Sequence, residues 1–199
     1  SGASCTVTVK ATSADNSHAS TTFTITITNT NPTVTNNDPS YAESTSCSAD
    51  VVDLANTGDQ SSITWSIVSG NEDTDGDNTD AFTIAGATGI ITVADCGDID
   101  DESSTGNSFD LVVRATDGVT PDDETITITI TNTNPTVVDN DVSIAESVAN
   151  SAAVATIATT GDTTNIAWSI TAGNTDGDSD GNAPFAIHAT TGAITVNDA

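Results

Sequence analysis

The chain has almost no basic side chains. Lys10 and Arg114 are its only strong bases, and they stand against 29 acids for a formal net charge of −27. Nucleic acids and anionic membranes attract basic surfaces, so this composition excludes both as direct partners. All but five of the acids are Asp. Because Asp is the common oxygen ligand of calcium loops, its excess favours bound divalent ions over mere solvation.

Several other features are missing. No apolar run is long enough to span a bilayer, and no signal peptide is visible. Asn31 and Asn134 come nearest to an N-glycosylation acceptor, but a Pro follows each of them. His18 and His188 stand alone, without the neighbours of a catalytic site, and a Gly-rich phosphate loop is absent. We therefore do not expect an enzyme.

What the chain does have is a repeat. Trp65 and Trp168 each open a Trp-Ser-Ile run and lie 103 residues apart, and the same offset carries Glu43 onto Glu146. A period near a hundred residues is the size of one β-sandwich rather than of a solenoid unit. We expect the last part of one repeat in 1–32, a complete repeat in 33–135 and the first part of the next in 136–199.

The hydrophobic pattern predicts strands throughout. Residues 22–28 and 125–131 alternate Thr with apolar side chains, which is typical of an antiparallel strand with one solvated face. The complete repeat contains seven such segments, near 34–42, 48–54, 62–68, 81–85, 89–93, 109–116 and 124–131. Their spacing predicts an all-β fold of tandem Greek-key, seven-stranded β-sandwiches. Trp65 and Trp168 are expected in the cores.

The phase of the repeat leaves two interpretations open. In the first, the chain is a window from a longer array. In the second, residues 1–32 supply the last two strands to the incomplete sandwich of another copy, as in donor-strand complementation. A head-to-tail contact of that kind does not close and gives a filament. Both interpretations place consecutive domains end to end.

Two of the three cysteines occur together within the complete repeat. Cys47 and Cys96 have Asn150 and Ala199 as their counterparts in the next repeat. Because both cysteines are present in one repeat and both are replaced in the next, a disulfide between them is expected. The alternative is two free thiols. A disulfide would place the protein outside the cytosol. Cys5 is left over, either as a small core residue or as a bond to a neighbouring chain.

One acidic loop recurs in both repeats. Asp73, Asp75 and Asp77 alternate with other residues, and the same spacing returns 103 residues later in Asp176, Asp178 and Asp180. Acids at alternate positions followed by Gly match the first half of an EF-hand loop, where three side chains face one ion. The Glu that closes an EF-hand loop is missing. Two interpretations of these loops therefore stay open: they bind calcium, or they are solvated acidic loops without an ion.

The order of the motifs carries a family resemblance. Each repeat starts with Ala-Glu-Ser, continues with Trp-Ser-Ile and Gly-Asn, and reaches a Phe…Thr-Gly…Ile-Thr-Val stretch. The complete repeat then has Asp100-Asp101-Glu102, a strand from Phe109 ending in Ala-Thr-Asp117, and a final Asn-Thr-Asn-Pro. This order resembles a cadherin repeat, especially the bacterial and archaeal tandem kind of giant adhesins and surface fibres.

The resemblance implies calcium at the junctions between domains. The matching positions are the acid after the first strand, the Asp-x-Glu motif, the Asp of Ala-x-Asp, the linker and the Gly-Asp that remains of a second acidic motif. They are Glu43 with its counterpart Glu146, Asp100, Glu102, Asp117, Asn132, Asn134, Asp59 and Asp162. The linker has amides where the family has acids, so fewer ions of weaker affinity are expected.

The leading hypothesis is an extracellular, cell-surface structural protein. Calcium would stiffen an array of cadherin-like domains that works as a filament, stalk or adhesin spacer. Its partners would be copies of itself or adjacent repeats of one chain. The alternative is an adhesive module that recognises carbohydrate or a partner cell surface.

Overall fold

The computed structural model of the chain describes residues 3–199. They form strands and turns without any helix, which confirms the all-β prediction. Accordingly, no helix in this range has the length and apolar character needed to cross a membrane.

Eleven strands cover the first two thirds of the chain. They are β1 (Ser4–Thr12), β2 (His18–Thr26), β3 (Pro32–Val34), β4 (Ser40–Ala42), β5 (Asp50–Asp53), β6 (Asn56–Gly58), β7 (Thr64–Ser69), β8 (Phe82–Ile84), β9 (Ile90–Val93), β10 (Ser108–Thr116) and β11 (Pro121–Thr131). The rest of the chain adds β12 (Thr136–Val137), β13 (Ala153–Thr156), β14 (Thr159–Thr160), β15 (Phe185–Ile187) and β16 (Ala193–Val196).

The chain divides into two compact units. Unit 1 contains the residues up to Ser40, Cys47–Asp98 and Ser108–Thr129. Unit 2 contains Tyr41–Ser46, Ile99–Asn107 and Ile130–Ala199. This division does not follow the sequence repeat, so the domain boundaries derived from the 103-residue period remain a prediction.

Unit 1 holds the better covered core. One sheet has the order β4-β11-β10-β7, and a second has the order β5-β9-β8. The alternating side chains of β10 and β11 put Leu111 and Ile126 opposite each other, both fully buried. Trp65 on β7 is buried, as the sequence predicts, and Phe82 meets Phe109 edge to face with ring centroids 5.0 Å apart. Such aromatic pairs add stability beyond the area they bury.

A disulfide links Cys47 to Cys96 within unit 1, the pairing expected from the sequence. It joins the segment before β5 to the segment after β9, two strands that already pair. Cys5 on β1 is free and exposed. The closed loop spans 49 residues, so the bond removes much conformational freedom from the unfolded chain.

The first predicted strand of the complete repeat, near 34–42, is instead two short strands, β3 and β4. Side chains between them bond to β11 in place of backbone groups. Asn36 Nδ2 donates to the Thr125 carbonyl at 3.3 Å, and Asp38 Oδ1 accepts from Thr127 N at 2.9 Å. Pro39 has no N–H to continue a ladder, so the strand is interrupted there.

The first hairpin, β1–β2, repeats the build of β10–β11. Val7 pairs with Phe23 as Leu111 pairs with Ile126, one repeat later. The environments differ, because Phe23 is 47% exposed whereas Ile126 is fully buried. The hairpin therefore presents an apolar face that its counterpart buries.

Unit 2 has smaller sheets, with the orders β13-β16-β15 and β12-β14. Trp168, predicted as core, is only half-buried, although the backbone of Gly192 packs on its indole as Gly89 packs on Trp65. Among the apolar residues of 136–199, Val196 is the most deeply buried. Much of the apolar surface of this segment thus stays open.

Candidate metal centres

Three acids from different segments meet in unit 2. One carboxylate oxygen each of Glu43, Asp100 and Glu102 lies within 4.8 Å of the other two. Glu43 directly follows β4, and the other two lie in the turn between β9 and β10. We call this group the linker acid group, because its hydrogen bonds reach the segment between β11 and β12.

The linker is fixed to this group mainly through Glu43. Its Oε1 accepts from Thr133 N at 2.6 Å, and its Oε2 accepts from Asp101 N at 2.8 Å. Asn132 Nδ2 donates to Glu102 Oε1. One carboxylate thus joins the end of β4, the β9–β10 turn and the linker.

The electrostatics of the group are unfavourable without a cation. Loss of hydration and the charge of Glu43 raise the pKa of Glu102, and Asp162 adds to this effect. Arg114, one of the two strong bases in the chain, forms a salt bridge with Asp123 at 2.7 Å. Lys10 lies on β1. The like charges of the three acids therefore repel one another.

Asp117, another predicted junction residue, contacts the linker before β3 within unit 1. Asp117 Oδ2 accepts from Asn29 Nδ2 at 3.0 Å, and its Oδ1 accepts from Val119 N and Thr120 N. These backbone bonds, with that of Thr120 the strongest, lower the pKa of Asp117. Asn29, the counterpart of Asn132, was missed as a site residue, although the repeat offset signals it.

The remaining predicted junction residues do not join an acid group in residues 3–199. Asp59 and Asp162 each cap a turn, accepting from Ser61 N at 2.8 Å and Thr164 N at 2.7 Å. The Ser61 bond lowers the pKa of Asp59. Asn134 and Glu146 make no side-chain hydrogen bond in the described part of the chain, and Glu146 is exposed.

The recurring acidic loops behave differently in the two repeats. In unit 2, Asp176, Asp178 and Asp180 come together as the spacing predicts, and their charges raise the pKa of Asp198, with Asp180 the largest cause. In unit 1, the corresponding triad does not form a group by itself.

Two other acids complete the grouping in unit 1. Asp73 and Asp75 meet Asp98, and Asp75 and Asp77 meet Asp95, in each case within 4.8 Å. Asp95 and Asp98 were missed from the sequence, because their position depends on how the segment after β9 folds against the loop. The signal that could have found them is their placement on either side of Cys96, the predicted disulfide partner.

All four acid groups offer oxygen ligands alone. None of them includes His or Cys. Calcium takes six to eight oxygen ligands and accepts flexible geometry, whereas zinc and copper prefer nitrogen and sulfur. The donor sets therefore fit calcium, the ion that the sequence predicts.

Comparison with solved structures finds extracellular domains of cadherins. The extracellular domain of protocadherin gamma B4 is 15% identical, with a TM-score of 0.48 over 98% of this chain and 34% of that chain. Human protocadherin-24 EC1-2 is 17% identical, with a TM-score of 0.43 over 86% of this chain and 81% of that chain. Drosophila N-cadherin EC1-4 is 16% identical, with a TM-score of 0.43 over 99% and 49%.

All three are cadherins. They belong to the family that the motif order resembles. The chain spans about a third of the first of these proteins and about half of the third. With TM-scores below 0.5, these likenesses carry no conclusion about function. No protein-family profile matches the sequence, and no curated protein matches it.

Proposed function

We propose that the chain is an extracellular structural protein, an array of cadherin-like sandwiches with a period of about 103 residues that calcium stiffens. The repeats are those derived from the sequence, with 33–135 as the complete one. The array works as a filament, stalk or adhesin spacer at a cell surface.

The observation that carries this proposal is the linker acid group. Glu43, Asp100 and Glu102 come from two segments of the complete repeat, and Glu43 and Glu102 also hydrogen-bond the linker after β11. Without a cation, like charges at this place repel each other and loosen the linker. A bound calcium ion converts the repulsion into attraction and holds the three segments together.

The disulfide supports an extracellular location. Structural disulfides persist in oxidising compartments and are rare in the cytosol. The bond between Cys47 and Cys96 ties two strands that already pair, as expected of a structural rather than a catalytic bond.

Small-angle X-ray scattering of the full chain tests the stiffening. In millimolar calcium we expect a single rigid particle, and with excess chelator a broader distribution of shapes and a lower melting temperature. Magnesium at the same concentration is the control for ionic strength and general screening. Identical scattering and melting in all three conditions would contradict the proposal.

Head-to-tail association of copies is the finer part of the proposal. The hairpin β1–β2 exposes Val9, Phe23 and Ile25, and Ile27 just after β2 is exposed as well. In the complete repeat the corresponding face of β10–β11 is buried, with the same strand register. By analogy with the complete repeat, we expect the early strands of a sandwich to cover the apolar face of the β1–β2 hairpin.

The receiving surface lies in residues 136–199. Val137 is 64% exposed, whereas its counterpart Val34 is 6% exposed, and Ile144 is exposed where Tyr41 is buried. In the complete repeat these positions belong to the sandwich that β10–β11 completes. The hairpin of a second copy has the side chains and the register to cover them, as in β-strand addition.

Sedimentation velocity over a range of concentrations tests this association. Ile25→Asn places an amide on the apolar face, and Thr24→Asn makes the matched change on the opposite face. Losing burial of the Ile side chain costs about 1–2 kcal/mol, so Ile25→Asn should weaken association roughly tenfold. Equal association of both variants and the unmodified chain, or a chain that stays monomeric throughout, would refute the second copy as the occupant.

A further inference from the structure

One acid in unit 1 is buried completely. Asp98 follows the disulfide Cys96 and has 0% of its surface exposed. Its Oδ1 accepts from Thr74 N at 2.5 Å and from Asp75 N at 3.0 Å. Its Oδ2 is also buried and has no hydrogen-bond partner. A buried carboxylate oxygen without a partner is costly, so a ligand for it is expected.

The neighbours of Asp98 increase this cost. One carboxylate oxygen each of Asp73 and Asp75 lies within 4.8 Å of a carboxylate oxygen of Asp98, so three acids are close together. Asp73 already uses both oxygens to accept from Gly76 N and Asn78 N, which fixes its carboxylate in the loop. Three carboxylates, one of them buried, therefore lie together, and none of them forms a salt bridge in residues 3–199.

The backbone makes room for this arrangement at Gly97. A Cβ at that position would overlap Asp75 Oδ2 and press on Asp95 Oδ1. Only a residue without a side chain lets the Asp75 carboxylate approach the segment after β9 so closely. The approach brings acids together instead of separating them, which is the arrangement of a cation site.

We propose that Asp73, Asp75 and Asp98 bind one hard divalent cation, best suited to calcium, within unit 1. Each carboxylate supplies at least one oxygen, and water completes the shell. The otherwise unpartnered Asp98 Oδ2 gains a ligand. Because oxygen is the only donor, the site excludes metals that need nitrogen or sulfur.

This site differs in role from the linker acid group. It joins the loop between β7 and β8 to the segment after β9, next to the disulfide at Cys96. The cation and the disulfide therefore fasten the same segment, one through charge and one through a covalent bond. The site braces unit 1 internally, and it goes beyond the proposed function because it does not depend on stiffening at the linker.

Isothermal titration calorimetry on the calcium-stripped full chain tests the site. Asp98→Asn and Asp75→Asn should each lower the number of bound calcium ions by at least one. Asp53→Asn is the matched control, since Asp53 is exposed on β5 and belongs to none of the acid groups. Glu43→Gln should leave this binding step in place, which separates the site from the linker acid group.

Each other outcome overturns the proposal. If Asp75→Asn loses an ion and a folded Asp98→Asn does not, the ion belongs with Asp77 and Asp95 instead. If neither variant loses an ion, no site exists here. Should Asp98→Asn fail to fold, the ¹³C shift of the Asp98 carboxyl carbon in the unmodified chain decides: calcium moves it under the proposal, and a shift that calcium leaves unmoved overturns it.

Discussion

Glu43 and Thr133 lie 90 residues apart in the sequence, yet Glu43 Oε1 accepts a hydrogen bond of 2.6 Å from Thr133 N. The other oxygen of the same carboxylate accepts from Asp101 N in the β9–β10 turn. A carboxylate that holds both a turn and the linker is well placed to transmit the binding of a cation to the linker.

Replacing Glu43 should uncouple calcium from stability. In Glu43→Gln the amide keeps one acceptor but loses the charge and one of the two backbone bonds. We expect a loss of about 1.5–3 kcal/mol in the free energy of unfolding, the usual size for a bond to a charged group, and a smaller rise in melting temperature with calcium. Differential scanning calorimetry with and without calcium measures both quantities.

Glu146→Gln is the matched control for this change. Glu146 is the counterpart of Glu43 in the next repeat, is exposed and belongs to no acid group in the described residues. An equal effect of the two substitutions would mean that the linker acid group has no special role.

Removing the disulfide should destabilise the chain strongly. The chain-entropy model assigns about 3–4 kcal/mol to closing a loop of this length. We expect the free energy of unfolding of the double variant Cys47→Ala/Cys96→Ala to fall by that amount, and its urea midpoint to fall with it. Cys5→Ala, which removes a free and exposed thiol, should have little effect. Unchanged urea midpoints in the double variant would show that the bond does not contribute to stability.

Gly89 should tolerate no side chain. Its φ is +79°, and an added Cβ would lie 2.9–3.1 Å from three atoms of the Trp65 indole. Gly118 has a similar φ of +84° with open space around it, so Gly118→Ala measures the backbone strain alone. That strain costs about 1–2 kcal/mol, and we expect Gly89→Ala to cost about 1–3 kcal/mol more from overpacking. Equal unfolding midpoints in urea would contradict the tight contact.

The Arg114–Asp123 pair should give a measurable pH effect. The hydrogen bonds from the Arg114 guanidinium lower the pKa of Asp123. A carboxyl whose pKa is lower in the folded state adds stability above its ordinary pKa, and that stability is lost as the pH falls through the folded value. In Arg114→Gln the Asp123 titration, followed by NMR, should move up toward the ordinary value. An unmoved titration would mean that the ion pair is not formed in solution.

Patterns local in the sequence predicted much of the architecture. The Thr and apolar alternation of β11, the buried Trp65 and the pairing of Cys47 with Cys96 all follow from periodicity or from comparing the two repeats. The cadherin resemblance named Glu43, Asp100 and Glu102 among the junction ligands, and their carboxylates lie close together, while their binding of a metal stays a prediction.

Features that depend on tertiary packing were not predictable in the same way. Asp98 lies 23 residues after Asp75 and meets it only because the segment after β9 folds onto the loop before β8. The EF-hand spacing led to a triad of Asp73, Asp75 and Asp77, yet the last of these turns instead toward Asp95. Trp168 is likewise only half-buried, because the burial of a side chain depends on the elements that pack over it and not on the residue type alone.

The most direct test of a calcium-stiffened array is an anomalous difference map from crystals of the full chain grown in calcium. A peak among the carboxylates of Glu43, Asp100 and Glu102, with metal–oxygen distances of about 2.3–2.6 Å, is the result we predict. Three carboxylates that turn separately into solvent, with only water between them, would contradict the account.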